Sequence, residues 1–551
     1  MPYRGVIMKY SIGIDFGTGS GRVLIVNVQT GEIAGMSVVK YSSGTIEKAL
    51  FDNMIPDSFA LQDSADYIDV LQKGIPAALA DAGINKEDII GMGIDFTSST
   101  MVVTDETFTP LSWYENYKTN PHAYVKLWKH HGASEETAAI LETSQKQKEK
   151  WLGNYGLNVS SEWMIPKILE LKNKAPEILK KTAYIMEAGD WIVSRLVHEN
   201  VRSNCARGFK SFWNEQDGFY YDFFEQIDPD LPTIVKEKLE GRLVKIGEKA
   251  GVLTREMSES LGLPEGLPVA AAIIDAHSSL LGIGSRQRNQ LTMVMGTSTC
   301  HLMLHEDQKK VPGISGSVKD AIIPGLFAYE AGQSAVGDLF EFAVKQAPKE
   351  YIDEAKERNI SVYKLLEQKA AGKKPGEAGL VALDWHNGNR SLLSNSGLRA
   401  LLIGQTLHTK HEDIYRAYME ATAFGTKMIM SAYEEAGMDV EEVFACGGLP
   451  QKSPLLMRIY ADILNKPIYI SATDYAPAVG AAILGAVAGK TYDSIEDAVA
   501  GMEQPFLKTV HPIPENVEIY KKLFAIYKDM HDYFGKQNTH IMEELNKLSY
   551  L

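Results

Sequence analysis

The sequence predicts a two-domain α/β protein built from duplicated halves that face each other, and three observations carry that expectation. A chain of 551 residues exceeds what one hydrophobic core usually organises. Apolar β-type runs alternate with helical periodicities, the pattern of sheets covered by helices. A short motif (strand, Gly-Thr, small hydroxyl, strand) occurs once near the start and once past the midpoint, which suggests two related domains. The division is expected at 285/286, giving domains 1–285 and 286–551.

Residues 11–16 (SIGIDF) and 22–27 (RVLIVN) are β-type runs around a glycine-rich loop, the signature of a hairpin. A run at 33–39 continues the meander. Helical periodicity over 64–82 ends at Gly83, where a left-handed C-cap is expected. A strand at 89–96 leads into the polar loop TSST at 97–100. Residues 135–226 mix charged helical stretches with aromatic-rich loops such as GFKSFW (208–213), an insertion suited to building a pocket. An apolar strand at 269–274 runs straight into Asp275. The opening pattern then returns as a strand at 291–295, the turn Gly296-Thr297-Ser298 and a strand at 299–304. A helix over about 411–437, a strand at 442–445 and a Gly447-Gly448 turn into another helix follow. The stretch 517–545 reads as an amphipathic helix on the surface of the second domain.

A hydrophobic fraction of 45% with 23% charged residues is that of an ordinary soluble globular protein. The net charge of −15 repels phosphate backbones and argues against nucleic acid as a partner. It does not exclude a nucleotide, which backbone N–H groups and a metal grip locally. Three cysteines, Cys205, Cys300 and Cys446, in no metal-ligand spacing, suit a reducing cytosol and argue against disulfides or zinc. Cys300 and Cys446 lie in apolar stretches and read as small core residues. Residues 1–10 lack the sustained apolar run of a secretion signal, and the apolar segment 477–489 is too short to cross a bilayer. A cytoplasmic protein without a membrane partner is therefore expected; a homodimer is compatible with the sequence, which specifies no interface.

The segment DFGTGSGR at 15–22 is the most informative local signal. Its glycines let backbone N–H groups approach an anion, Thr18 and Ser20 add hydroxyls, Arg22 adds a cation, and Asp15 suits a metal-bound water. A plain hairpin turn has the same composition. The second Gly-Thr-Ser at 296–298 strengthens the phosphate reading, because two opposed loops can clamp one triphosphate. GAVAGKT at 485–491 imitates a nucleotide loop but has three residues between its glycines instead of four and follows an Ala-rich helical stretch. Lys490 is therefore expected to end a helix. No Gly-x-Gly-x-x-Gly opens the first unit, which removes a dinucleotide site. The pair His130-His131 has no partner at ligand spacing and reads as solvated. Asp275 is either a strand-end carboxylate that presents to a ligand or a helix N-cap.

Taken together with FACGGLPQKS at 444–453, the two loop motifs resemble those of the FGGY family of carbohydrate kinases. GIDFT (93–97), SEWMIPK (161–167) and EAGQSAVGD (330–338) place the resemblance among members that phosphorylate ketopentoses. It implies an actin-like fold of two ribonuclease-H-like α/β domains with an ATP and sugar cleft between them. It also implies ATP and Mg²⁺ as cofactors and a ketopentose, L-ribulose in L-arabinose catabolism, as the acceptor. Asp275 is implied as the catalytic base, and Thr97, Lys210, Asp275 and Glu330 as sugar contacts. Gly17, Thr18, Ser20 and Arg22, with Gly296, Thr297 and Ser298, would hold phosphates. Gln333 and Gly337, four residues apart on a helix following Glu330, would face the nucleotide, and Gly447, Gly448 and Gln451 the adenosine. Asp15, through water, and Asp275 are implied at the metal. Two alternatives stay open: another pentulose kinase of the family, such as one for D-ribulose, and an actin-like ATPase acting as chaperone or filament. The latter needs neither Asp275 nor the aromatic insertion.

Overall fold

The fold was analysed in a computed structural model, which describes residues 8–548; the stretch 1–7, read above for a targeting signal, lies outside the described residues. Two seven-stranded sheets organise the chain, and they are built alike. In the first, strand Tyr10–Phe16 pairs antiparallel with Ser20–Asn27 and parallel with Ile89–Phe96. In the second, Gln290–Met295 pairs antiparallel with Thr299–His305 and parallel with Glu442–Cys446. The repeated motif thus occupies the same position in both sheets, a hairpin beside a parallel neighbour. Parallel pairing needs a crossover, and the chain between the paired strands supplies the helices that cover each sheet.

The helical periodicity at 64–82 forms as two short α-helices, Ala65–Asp69 and Ile75–Ala82, joined by one wider turn, and Gly83 closes the second in the left-handed conformation. The strand expected at 269–274 is broken into Pro268–Ala270 and Ile273–Ile274, both parallel to Ile89–Phe96. The insertion carries its own aromatic core, with Trp151, Tyr155, Trp163, Phe212 and Phe223 buried together. The single amphipathic helix expected over 517–545 is instead two, Pro514–Asp532 and His540–Leu548, separated at 533–539, and Tyr520, Tyr527 and Met542 pack into the second core.

One long-range contact was not legible in the sequence. The helix Ala476–Ala488, which lies in sequence between the last two strands of the second sheet, Ile468–Ser471 and Phe506–Val510, packs into the core of the first, with Ala478, Ala482, Leu484 and Ala486 buried among the first sheet's side chains. It lies flat on the strands because they carry glycines there. A Cβ at Gly93 would stand 1.9 Å from the carbonyl oxygen of Ala481, and one at Gly485 2.4 Å from Ser11 Oγ. The nucleotide-loop look-alike at 485–491 is thus a packing seam, and Lys490 follows the helix end as expected. No described helix is long and apolar enough to cross a membrane.

Candidate active site

Strand register assembles three carboxylates. Asp15 and Asp95 are partners on adjacent parallel strands, and Ile273 flanks Asp95 on the other side. Asp275 therefore stands one residue past the end of strand Ile273–Ile274, as the first residue of helix Asp275–Gly282. Both readings of Asp275 hold in part: it ends a strand and opens a helix, its Oδ1 accepting from the Ala276 amide at 2.6 Å. Burial and the neighbouring Asp15 push its carboxyl up to about 7. Asp95 lies within the GIDFT motif, but the sequence reading gave it no role. It is fully buried, neither carboxylate oxygen has a hydrogen-bond partner, and burial, Asp15 and Asp275 together hold its carboxyl well above the usual range. Its own sequence signal was an acid inside an otherwise apolar strand, GMGIDF.

The loop after Asp15 is braced from several sides. Arg22 is not a free cation but donates to Asp15 Oδ2 at 2.7 Å across the hairpin. Gly17 N–H bonds Ser20 O, Gln62 donates to the Thr18 carbonyl, and Trp128 Nε1 donates to Thr18 Oγ1 at 3.1 Å. Among the described residues the amides of Thr18 and Gly19 have no partner. The second loop is built the same way. Gly296 N–H bonds Ser298 O, while the carbonyls of Gly296 and Thr297 accept from the amides of Gly337 and Val336 at 3.1 and 2.9 Å. The amides of Thr297 and Ser298 are left unpartnered among the described residues, at an accessible turn. Two such pairs of free donors are what an anion requires.

Of the residues expected at the sugar, Lys210 and Glu330 line a polar cavity of about 470 Å³, with Ser98, Trp128, Glu162 and Arg390 among the others around it. Lys210 is not in a loop: it is the buried last residue of helix Asn204–Lys210. Its Nζ donates to Glu330 Oε1 at 2.8 Å, and His277 Nε2 lies 2.9 Å from Glu330 Oε2. Burial pushes the Glu330 carboxyl up, but Lys210 and His277 outweigh it and hold it well below the usual carboxylate range. Thr97 is buried at the strand end and shares a 2.8 Å hydrogen bond with Thr100 Oγ1; its neighbour Ser98 reaches the cavity instead. The SEWMIPK motif serves this loop. Buried Lys167 donates to the carbonyls of Ser99 and Leu127, both at 2.6 Å, and Glu162 meets Arg390 across the cavity at 3.6 Å.

Several expectations need correction. Glu330 and Gln333 lie on a strand, Phe327–Gln333, and the helix starts only at Gly337, so Gln333 and Gly337 do not share a helix face. The Gln333 side chain is buried and engaged: it donates to Asp384 and the Thr422 carbonyl and accepts from Thr426. Both amide hydrogens are taken within the second domain, and the buried carbonyl oxygen keeps one lone pair. His130 is not solvated but buried against Glu170, which also pairs with buried Lys126; only His131 is exposed. Gly447 adopts φ +99° with Met295 O only 2.2 Å from where a Cβ would stand, whereas a Cβ at Gly448 would meet only Lys452 Nζ, in ordinary contact at 3.7 Å. Gln451 is turned to the Ser471 carbonyl at 3.3 Å.

Two duplicated α/β domains with paired anion-ready loops and a polar acceptor cavity define a class of small-molecule phosphotransferase, and comparison with known proteins narrows it. The model of the FGGY carbohydrate kinase N-terminal domain matches residues 10–282, and that of the C-terminal domain matches 291–489. The chain belongs to the FGGY family of carbohydrate kinases. A ribulokinase of Staphylococcus aureus (strain Newman) is 56% identical over 541 residues, covering 98% of this chain and 99% of the relative. The fold matches a xylulose kinase of Rhodospirillum rubrum (TM-score 0.78, 20% identity, 96% and 99% of the two chains). It also matches a Plasmodium falciparum glycerol kinase with ADP (TM-score 0.76, 16% identity, 95% and 98%).

Proposed function

We propose that this carbohydrate kinase is a ribulokinase, transferring the γ-phosphoryl of ATP to the terminal C5 hydroxyl of a ketopentose, with L-ribulose as the physiological acceptor. The observation that carries the reading is the buried Lys210–Glu330 pair at the end of the polar cavity, next to Asp275. A cation and a carboxylate side by side match the carbonyl and hydroxyls of a ketose. The 56% identity to a ribulokinase over nearly the whole length supports the same acceptor class.

In this reading the free amides of the two loops take the phosphate oxygens, a preorganised electrostatic role. Asp275 accepts the C5 hydroxyl proton while the oxygen forms its bond to the γ-phosphorus and the bond to the bridging oxygen of ADP breaks. No three His, Cys, Asp or Glu side chains among the described residues form a metal cage. Magnesium fits as part of the nucleotide substrate instead, its phosphates supplying ligands and Asp15, through water, the protein side. Asp95, buried beside Asp15 and held well above the usual carboxylate range, stays protonated and adds no charge of its own. ADP release measured over ketopentoses of both hands, aldopentoses and glycerol tests the proposal. Strongest stimulation by L-ribulose is expected. A preference for D-ribulose would reassign the acceptor, and no stimulation by any sugar would overturn the kinase reading in favour of a plain ATPase.

A further inference from the structure

His277 and Cys205 are buried, polar and unused by the phosphoryl transfer described above. Cys205 Sγ lies 3.2 Å from His277 Nδ1, and His277 Nε2 lies 2.9 Å from Glu330 Oε2. An ionised carboxylate only accepts, so Nε2 carries the ring proton and Nδ1 receives the thiol's. The Phe209 ring, 4.6 Å from the imidazole between centroids, closes one face. The chain of donors therefore runs Cys205 to His277 to Glu330, and Lys210 holds the other oxygen. Cysteine, histidine and carboxylate in a row imitate a nucleophilic triad, but burial pushes the Cys205 thiol up and leaves it no access to solvent.

The geometry has a different use. Glu330 stands on the second sheet, whereas Lys210, His277 and Cys205 belong to the segment matched by the N-terminal domain. A carboxylate rotates freely about its last bond unless both oxygens are held. Here each oxygen has one donor, and its remaining lone pair is left for the cavity that Glu330 lines. We propose that His277, braced by Cys205, is a positioning residue that fixes the Glu330 carboxylate to receive hydroxyls of the ketose. The inference rests on the sugar-site reading of Glu330 above.

Two near-isosteric substitutions separate positioning from packing. The amide of asparagine stands near the place of Nδ1, and that of glutamine near the place of Nε2. His277→Asn is expected to raise the ketopentose KM by about tenfold, the loss of one hydrogen bond to a charged group, with the ATP KM unchanged. His277→Gln restores the contact and is expected to stay within about threefold of the parent. Should the asparagine variant fail to fold, Cys205→Ser and Cys205→Ala make the same comparison, since serine keeps a donor to Nδ1 and alanine does not. Equal ketopentose KM values within the informative pair would overturn the positioning role. An unsubstituted protein that responds to no sugar would instead overturn the kinase reading, and this inference with it.

Discussion

The chemistry at single residues is set by which carboxyls are buried with partners and which without. Asp275 is pushed up to about 7, which in the proposed role poises it as a base near neutral pH. Asp275→Asn is expected to lower kcat by ~10²–10⁴ with little change in ketopentose KM. With both substrates limiting, kcat/KM of the parent should fall as pH drops below about 7, where the base becomes protonated. A pH-independent rate would remove Asp275 from the base role. Asp95 makes the opposite kind of prediction, one of stability. Its folded carboxyl titrates well above the unfolded one, so folding is opposed by its ionisation. That penalty is absent below the unfolded pKa of about 3.9 and grows as pH rises toward the folded value. Asp95→Asn should therefore stabilise the protein, by ~1–3 kcal/mol at neutral pH and by less in acid. Urea unfolding at two pH values reads the difference, and a variant that is less stable at both would mean that the carboxylate has a use in folding.

Among elements, the seam between helix Ala476–Ala488 and the first sheet has the tightest tolerances. With a Cβ at Gly93 placed 1.9 Å from the Ala481 carbonyl, Gly93→Ala must push the helix backbone away from the strands. A loss of ~1–3 kcal/mol or more is expected from overpacking, readable as a lowered urea midpoint. An unchanged midpoint would show that helix and sheet can separate without loss. Elements whose signal is local were legible in the sequence: the two Gly-Thr hairpins, the strand ending at Phe96 and the helix closed by Gly83. Elements whose identity depends on distant partners were not. The stretch after Glu330 is compatible with helix or strand by composition, and pairing of Phe327–Gln333 with Thr299–His305 decides for strand. The same limit explains Asp95 and His130. Asp95 gains meaning only through register with Asp15, 80 positions away, and His130 only through Glu170, 40 away. Lys210 and Glu330 were legible through motif resemblance, and neither their ion pair nor His277 behind it follows from spacing.

At the scale of the whole molecule, the two sheets divide the chain near 285/286, but the cores do not. Residues from Ala478 to Met502 complete the first core although they lie in sequence between two strands of the second sheet, and Tyr492 and Gln504 reach back to the carbonyls of Val28 and Gly31. A fragment ending at 285 would leave the glycine seam of strands Tyr10–Phe16 and Ile89–Phe96 facing water, together with Leu24 and Val26, the cross-strand partners of Gly13 and Ser11 on the same face. An uncovered apolar sheet face of this kind drives association rather than independent folding. Fragment 1–285 is therefore expected to be insoluble or molten when expressed alone. Fusing residues 476–504 through a flexible linker should restore a cooperative unfolding transition, because that segment returns the missing layer. Circular dichroism and urea unfolding of the two forms make the comparison. A fragment 1–285 that unfolds cooperatively by itself would show that the returning helix is an accessory to the first domain rather than part of its core.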